Sequence, residues 1–354
     1  MTTIVLTYRN RTLNIVKKCL DSLQNQSNKQ FTVTLINYGS EVDKTIALEK
    51  LLSTYTFIDY SYCATSNQLW NKAKAINIAL KQCKTSHLFV GDIDMMFRAD
   101  FIEKLETLKN SNEITYFNVG FLNKEESSKN QEFNKYKVKH ISQEEATGMT
   151  LYPTELLKQI NGYDEFYHGW GSEDTDVHIR LQNAGYKINF YEQEVMLLHQ
   201  WHPRIYRSKK SIEPFHDSLE QINQQYLQQA VNGKRIKANE NFNWGKNSKK
   251  VVFTDSNSSS VTVTNLKSDL DAFFIGTIHN YSQNNLVITI KKHEAYTSVK
   301  NNLKRIVGKK YFKLYHFQEI NNIILTSIIT NFRSNYYEYK WDQELQTISL
   351  KIAL

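Results

Sequence analysis

The sequence predicts an α/β fold, with a parallel sheet covered by helices on both faces, followed by a smaller α+β domain. Strand-like and helix-like segments alternate through the first 100 residues, which is typical of parallel strands joined by crossover helices. The chain has 354 residues, of which 40% are hydrophobic and 23% charged, so it can bury a core and is neither disordered nor fibrous. Its charge is uneven, because residues 1–203 carry 22 basic and 24 acidic residues whereas residues 204–354 carry 22 and 12.

The individual elements follow from the spacing of apolar residues. Short apolar runs that end in turn residues predict strands, and apolar residues three or four positions apart predict helices. In chain order we expect strands at 3–6, 31–36, 57–62 and 87–90, with helices at 13–23, 46–52 and 69–80 between them. Further on we expect a polar surface loop or excursion at 123–145, a helix at 219–231, a turn or domain boundary at 255–260, and strands at 261–264, 273–278 and 286–290. The predicted domains are residues 1–245 and 250–354.

Cysteine usage and hydropathy bear on the compartment. Cys19, Cys63 and Cys83 lack paired spacing, which argues against a disulfide scaffold or a zinc site and favours a reducing environment. No stretch approaches 18 consecutive apolar residues, and the N-terminus lacks the pattern of a secretory signal, so we expect a cytoplasmic protein. The basic C-terminal part indicates either an anionic partner, such as lipid headgroups, a polyanionic glycan or nucleic acid, or a lysine-rich surface in water.

Polar residues follow three of the predicted strands, at 7–9, 37–40 and 92–94. Because ligands of parallel sheets bind beyond the carboxyl ends of the strands, we expect these segments to line a site. Asp92 and Asp94 stand two residues apart at a chain reversal, where they can reach one divalent cation and a ribose. Mn²⁺ and Mg²⁺ prefer such oxygen ligands. An Asp-x-Asp triplet also occurs on ordinary surface turns, so both interpretations stay open for this pattern alone.

A second constellation is Gly169-Trp170-Gly171-Ser172-Glu173-Asp174-Thr175-Asp176. Its three carboxylates begin a predicted helix, where the helix dipole favours negative charge, and Ser172 is suited to cap that helix. Capping needs one such residue, however, and not three carboxylates behind two glycines and a tryptophan. The glycines therefore indicate a loop that moves, and the Trp170 ring indicates a flat ligand such as a sugar.

Two histidines follow the apolar segment that contains Met196. His199 stands at the end of a predicted strand and is a candidate metal ligand, because a neutral imidazole binds divalent cations. His202 is the alternative, and the spacing does not distinguish the two.

Four segments together resemble those of GT-A glycosyltransferases, of the family 2 type with a galactosyltransferase C-terminal motif. The run Asn71-Lys72-Ala73-Lys74 is similar to Asn-Arg-Ala-Lys of the animal β-1,4-galactosyltransferases, and Asp92-Ile93-Asp94 is similar to their Asp-x-Asp strand end. Residues 148–176, which contain Ile-Asn-Gly and Gly-Trp-Gly-x-Glu-Asp, and the pair Met196-x-x-His199 are similar to two further segments in the same order. The resemblance covers residues 1–205 and extends to bacterial capsule and chondroitin-type transferases and to polypeptide N-acetylgalactosaminyltransferases.

The resemblance implies a role for each of these residues. Asp94 and His199 would bind Mn²⁺ (or Mg²⁺), with Met196 either a third ligand or part of the strand core. Asp174 would be the catalytic base, and Glu173 would bind hydroxyls of the donor or acceptor. The further residues implied at the donor are Thr7, Tyr8, Arg9, Asn37, Lys74, Asp92, Trp170 and His202. Asn37 stands where many members have the aspartate that pairs with uracil, and an amide both donates and accepts hydrogen bonds as that pairing requires.

The resemblance also implies an activity. It points to an inverting, metal-dependent transfer of galactose or N-acetylgalactosamine from a UDP-sugar to a hydroxyl of a glycan or lipid-linked glycan, in the synthesis of a bacterial capsule or other surface polysaccharide. The alternatives are a UDP-N-acetylglucosamine or UDP-glucose transferase, a retaining transferase on the same fold, and an inactive carbohydrate-binding relative. The chain lacks the Gln-x-x-Arg-Trp signature of processive synthases, so we expect transfer of single sugars. We expect no nucleic-acid partner, and a peripheral contact with the inner membrane face through the basic C-terminal part.

Overall fold

The computed structural model describes residues 1–143, 148–203, 213–247, 249–281 and 285–354. The described residues separate into two compact units. Those up to 247 form the first unit, apart from 67–69 and 213–218, which group with the residues from 249 onward in the second. The predicted domain boundary between 245 and 250 stays a prediction.

A seven-stranded sheet forms the centre of the first unit. The strands of this unit are β1 (Thr2–Tyr8), β2 (Phe31–Tyr38), β3 (Ile58–Cys63), β4 (His87–Asp92), β5 (Met95–Phe97), β6 (Glu113–Phe117), β7 (Gly120–Phe121), β8 (His140–Ile141), β9 (Thr150–Pro153), β10 (Lys187–Tyr191) and β11 (Leu197–His199). The large sheet has the order β10-β6-β9-β4-β1-β2-β3, and its neighbours are parallel except that β9 is antiparallel to β4 and β6. A second sheet has the order β5-β11-β7-β8.

Helices cover the large sheet on both faces. The helices of this unit are α1 (Leu13–Gln24), α2 (Val42–Leu52), α3 (Lys72–Gln82), α4 (Phe101–Leu108), α5 (Lys124–Ser128), α6 (Thr154–Gln159), α7 (Glu173–Asn183) and α8 (Leu219–Asn232). Side chains alternate along β1, so Ile4 and Leu6 are buried in one hydrophobic cluster with Leu20 of α1, while Val5 is buried in another with Ile76 of α3. Two cores on opposite faces of a mainly parallel sheet confirm the predicted fold class.

Three predicted segments of the first unit need correction. Helix α2 begins at Val42 and not at residue 46. Helix α3 begins at Lys72 and not at residue 69, because the side chain of Asn71 caps it by accepting a hydrogen bond from the Lys74 amide at 2.7 Å. The polar segment 123–145 is more than a loop, since it carries α5 and β8 as far as residue 143, and residues 144 and 145 lie outside the described part. The buried Glu126 organises this segment by accepting a hydrogen bond from the Lys137 amide at 3.1 Å.

The second unit has a mixed sheet of its own. Its strands are β12 (Ser258–Thr264), β13 (Asn285–Lys291), β14 (Tyr337–Asp342) and β15 (Thr347–Ile352), in the order β12-β13-β15-β14, and its helices are α9 (Lys267–Ala272), α10 (Val299–Ile306) and α11 (Phe317–Ser327). Strands β12 and β13 are parallel and the other pairs antiparallel. The strand predicted at 273–278 is wrong, because helical turns continue from α9 through this segment. Its apolar residues do not alternate: Phe273 and Ile278 are buried, while Ile275 is 79% exposed.

Within the described residues, none of the helices combines the length and the apolar character needed to cross a membrane. All three cysteines carry free, buried thiols.

Candidate active site

The carboxyl ends of β1, β2 and β4 meet at one edge of the large sheet. Tyr8 lies opposite Asn37 in the register of β1 and β2, and Thr7 lies opposite Asp92 in the register of β1 and β4. The three polar segments that the sequence predicts at strand ends are therefore adjacent in space, as expected for a ligand site of a parallel sheet.

Asp94, His199 and His202 form a cluster that can hold a metal ion. One ligand atom from each of them lies within 4.8 Å of the other two. Asp94 is 4% exposed, with Oδ2 3.1 Å from Nε2 of His202 and Oδ1 3.6 Å from Nε2 of His199. Strand pairing explains why His199 lies close to Asp94. Strand β11, which ends at His199, runs antiparallel to β5, which begins at Met95, the residue after Asp94. Both histidines left open by the sequence thus face the same carboxylate.

The environment of Asp94 favours its charged form. Burial by itself would raise the pKa of Asp94, but the hydrogen bond with His202 and the nearby cationic groups, Arg11 among them, hold it well below its usual range. Arg11 Nη2 lies 3.1 Å from Asp94 Oδ2. Burial lowers the pKa of His199, which favours the neutral imidazole that binds a metal ion.

The chemistry of this donor set fits a divalent cation. Oδ1 of Asp94 is buried and has no hydrogen-bond partner among the described residues. A buried carboxylate oxygen of this kind is costly unless something binds it, and a cation shared with the two imidazoles meets that requirement. One carboxylate and two imidazoles are compatible with Mn²⁺ but do not by themselves identify the metal.

A second cluster gathers the other carboxylates around Lys72. The Lys72 ammonium lies 3.1 Å from Oδ1 of Asp92, 3.3 Å from Oδ2 of Asp174 and 4.0 Å from Oε1 of Glu173. Lys72 is the first residue of α3, and Glu173 and Asp174 begin α7, so two helix starts and one strand end converge here. Burial alone would lower the pKa of Lys72, but the three carboxylates outweigh it and hold that pKa well above the ordinary value.

Asp174 has the properties of a general base. Burial raises its pKa to about 7, an effect that Lys72 opposes and that the neighbouring charges of Glu173 and Asp92 reinforce. Its Oδ2 accepts a hydrogen bond from Lys72, while Oδ1 is buried and has no partner among the described residues. A carboxylate with a pKa near neutrality and one unused oxygen is suited to accept a proton from a substrate.

The Trp170 loop leads directly into this cluster. Gly169 and Gly171 have φ of 73° and 99°, a region that glycine adopts at little cost, and the Trp170 ring between them is 54% exposed. The side-chain amide of Asn223, on α8, donates to the carbonyl oxygen of His168 at 2.9 Å and lies within 3.4 Å of the Trp170 carbonyl oxygen. These hydrogen bonds hold the backbone of the loop against α8, and the indole ring stays exposed to a ligand.

Asp176, the third carboxylate of the same run, has a structural position. It is fully buried, and its carboxylate lies 2.6 Å from Nε of Arg180 and 2.6 Å from Nη2 of Arg235. Arg180 also donates hydrogen bonds to the carbonyl oxygens of Ile160 and Gly162. Asp176 therefore ties α7 to the preceding segment and is not available to a substrate.

Several of the other residues predicted at the donor or the metal are deeply buried. Tyr8 is fully buried and donates a hydrogen bond to the carbonyl oxygen of Arg11. Asn37 is also fully buried; its amide donates to Thr45 and Tyr60 and accepts from the Ser40 amide. Thr7 and Lys74 are 6% and 2% exposed, Arg9 donates to the Ser66 carbonyl oxygen at 3.1 Å, and Met196 is fully buried in the hydrophobic core. The nucleotide and metal contacts of these residues stay predictions.

Three residues at the site were missed by the sequence reasoning. Lys72 stands beside Lys74 in the segment that carried the resemblance, and only the start of α3 decides which lysine faces the carboxylates. Arg11 carries no local signal beyond its place after β1. Asn223 lies on α8, far along the chain from the loop that it holds, and nothing in its surroundings indicates that contact.

Two family models match the chain. The model described as glycosyl transferase family 2 matches residues 3–158, and the model described as the N-terminal domain of galactosyltransferase matches residues 129–202. The two matches run together from residue 3 to residue 202 and contain both clusters of the site. They confirm the resemblance and the enzyme class that the sequence predicts.

Curated relatives and solved structures are similar over parts of the chain. Beta-1,4-galactosyltransferase 5 of Danio rerio is 28% identical over 127 residues, which are 35% of this chain and 29% of the relative. Beta-1,4-galactosyltransferase 5 of Homo sapiens is 40% identical over 42 residues, 12% of this chain and 11% of the relative. The chain thus spans less than a third of these relatives. The structure of S. aureus TarS 1-349 in complex with UDP has a TM-score of 0.45 and 15% identity, covering 57% of this chain and 61% of that chain.

Proposed function

On the premise that residues 3–202 form a glycosyltransferase domain, we propose that the protein is an inverting, metal-dependent transferase of galactose or N-acetylgalactosamine. The donor is a UDP-sugar and the acceptor a hydroxyl of a glycan. The observation that carries the proposal is the state of Asp174, whose buried Oδ1 has no partner among the described residues and whose pKa is raised to about 7. A base in that state can deprotonate an acceptor hydroxyl near neutral pH.

The reaction is a single displacement at the anomeric carbon. The acceptor oxygen forms the new bond to that carbon while the bond to the diphosphate breaks, and Asp174 takes the proton of the hydroxyl. Lys72 orients Asp174 from 3.3 Å and keeps part of its population ionised at neutral pH. One displacement with one base inverts the configuration, so a UDP-α-sugar gives a β-linkage.

Asp94, His199 and His202 are the residues that would hold a divalent cation. A cation held by these residues would supply positive charge against the negative charge that builds up on the leaving UDP. We propose that the exposed ring of Trp170 covers the sugar and excludes water, which would otherwise consume the donor by hydrolysis.

The choice of sugar rests on the names of similar proteins. Galactose and N-acetylgalactosamine are favoured by the family description that names a galactosyltransferase and by the β-1,4-galactosyltransferase names of the relatives. We further propose that the enzyme acts in the cytoplasm on a growing capsule or other bacterial surface polysaccharide, adding one sugar at a time.

The test is the release of UDP from UDP-galactose, UDP-N-acetylgalactosamine, UDP-N-acetylglucosamine and UDP-glucose, with Mn²⁺ and with a chelator. We expect one of the first two donors to be hydrolysed slowly in the presence of Mn²⁺ only. Asp174→Asn should abolish transfer while Mn²⁺-dependent UDP binding persists, and Asp59→Asn, which changes an exposed carboxylate, should behave as the wild type.

Other results would redirect the proposal. Turnover of UDP-N-acetylglucosamine or UDP-glucose alone would correct the sugar, and an α-linked product would make the enzyme a retaining transferase. Absence of both hydrolysis and UDP binding would contradict the donor class and favour an inactive relative.

A further inference from the structure

We infer that helix α10 and the segment after it form a docking site for an anionic lipid surface. This interfacial segment consists of residues 298–313, in the second unit. It lies outside the residues matched by either family model, and the inference does not depend on the proposed transfer reaction.

The helix presents its apolar side chains to solvent. Val299, Leu303, Ile306 and Val307 are 71%, 56%, 74% and 62% exposed, and none of the eight residues of α10 is buried. Their positions i, i+4, i+7 and i+8 place them on one stripe of the helix, about 100° wide. Phe312, in the segment that follows, is 51% exposed and adds to the apolar residues. A contiguous exposed apolar stripe of this kind is typical of an interaction surface.

Local interactions build the helix without any buried side chain. The Ser298 hydroxyl caps its start by accepting a hydrogen bond from the Asn301 amide. At its end Gly308, with φ of 71°, allows the Lys309 amide to reach the Lys304 carbonyl oxygen at 2.9 Å. A helix of eight residues is marginal in water by itself, because tertiary packing of an apolar face supplies most of the stability of short helices. The cap at Ser298 and the turn at Gly308 stabilise the helix while its apolar face is exposed, and a partner that covers this face would stabilise it further.

A further contact fixes the helix against the segment that follows it. The Asn301 side chain donates to the Phe312 carbonyl oxygen at 3.0 Å and accepts from the Phe312 amide at 2.8 Å. These two hydrogen bonds fix the backbone of Phe312 beside the helix, and four basic residues lie between Asn301 and Phe312 in the sequence.

The charge of the segment identifies the partner. Residues 295–318 contain no Asp or Glu and six basic residues, which are Lys300, Lys304, Arg305, Lys309, Lys310 and Lys313. Five of the six are exposed, and Lys304 is half-buried. A basic helix with an apolar stripe matches the interface of a bilayer with anionic headgroups, where the stripe enters the acyl boundary and the lysines meet phosphates. An acidic polysaccharide would use the charges but leave the apolar stripe in water, so the lipid surface is the better fit.

The experiment is flotation of the full-length protein with vesicles. One set contains phosphatidylcholine alone and the other contains phosphatidylcholine and phosphatidylglycerol in a ratio of three to one. We expect the wild type to float with the anionic vesicles only. Leu303→Ser with Ile306→Ser should weaken binding about tenfold or more, because the apolar contribution is lost. Lys304→Gln with Lys309→Gln and Lys310→Gln should weaken it about a hundredfold, at about fivefold for each lysine.

Matched controls change the same residue types elsewhere. Val42→Ser with Ile46→Ser removes two side chains that are 75% and 63% exposed on α2, and Lys44→Gln with Lys50→Gln and Lys135→Gln removes three exposed charges. Both controls should float as the wild type does, and circular dichroism checks that every variant is folded. The inference is overturned if the wild type fails to float with anionic vesicles. It is equally overturned if the apolar variant floats as well as the wild type, or if an acidic polysaccharide competes fully with the vesicles.

Discussion

Replacement of Lys72 by Met tests the arrangement of the site most directly. The ammonium lies 3.3 Å from the carboxylate of Asp174, and a unit charge at that distance stabilises the ionised form by about 1 kcal/mol at the dielectric constant of water and by about 5 kcal/mol at an effective value near 20. Values of about 1.4 to 2.7 kcal/mol, in the lower half of that range, correspond to a pKa increase of about one to two units for Asp174. From a starting pKa of about 7, the ionised fraction at pH 7 falls from about a half to between about a tenth and a hundredth.

The assay is the pH dependence of kcat/KM for sugar transfer, which reports the ionisation of the free enzyme. In Lys72→Met we expect the acid limb to move to higher pH by about one to two units, with kcat/KM at pH 7 lowered about 5- to 50-fold. Lys72→Arg keeps the charge and should restore most of the wild-type profile. Lys84→Met, at an exposed lysine beyond the end of α3, serves as control. If the acid limb of the kcat/KM profile does not move in Lys72→Met, either Asp174 is not the base or Lys72 does not act on it electrostatically. A loss of UDP affinity without that movement would indicate that Lys72 binds the donor.

Four further outcomes follow from the structure. Asp174→Asn should raise the melting temperature by about 2 °C or more at pH 8 and by less at pH 5. A carboxyl whose folded pKa is raised to about 7 contributes stability that is fully present below pH 4 and is lost as the pH rises through 7, whereas the amide does not titrate. Trp170→Ala should lower kcat/KM but change the free energy of unfolding by less than about 0.5 kcal/mol in denaturant titrations, because the ring is 54% exposed. Arg11→Gln should tighten Mn²⁺ binding in calorimetry without nucleotide by about tenfold, because it removes a cation 3.1 Å from Asp94, and weaker binding would contradict this. His202→Ala should weaken the same Mn²⁺ binding about tenfold or more if the imidazole is a ligand, whereas unchanged binding would leave only His199.

Local signals in the sequence were sufficient for most elements of the first unit. The alternation of apolar side chains in β1 and the helical spacing in α1 involve residues only a few positions apart, so they can be interpreted without knowing the fold. Segment 273–278 was assigned wrongly for the same reason, because six mostly apolar residues fit a buried strand or a helical turn equally well. Only the burial of Phe273 and Ile278, with Ile275 exposed, distinguishes the two.

The sequence by itself determined the fold class and most residue types of the candidate site, because hydrophobic periodicity and the Gly-Trp-Gly-x-Glu-Asp run depend only on neighbouring positions. Only the tertiary structure decided which of these residues meet. Lys72 reaches Asp174 across 102 positions of chain, and His202 joins His199 at Asp94 through the pairing of β5 with β11. These contacts between distant residues depend on the register of the strands and on the residue at which each helix begins. A shift of a single residue in either one would turn a side chain away, and sequence spacing does not resolve a difference that small.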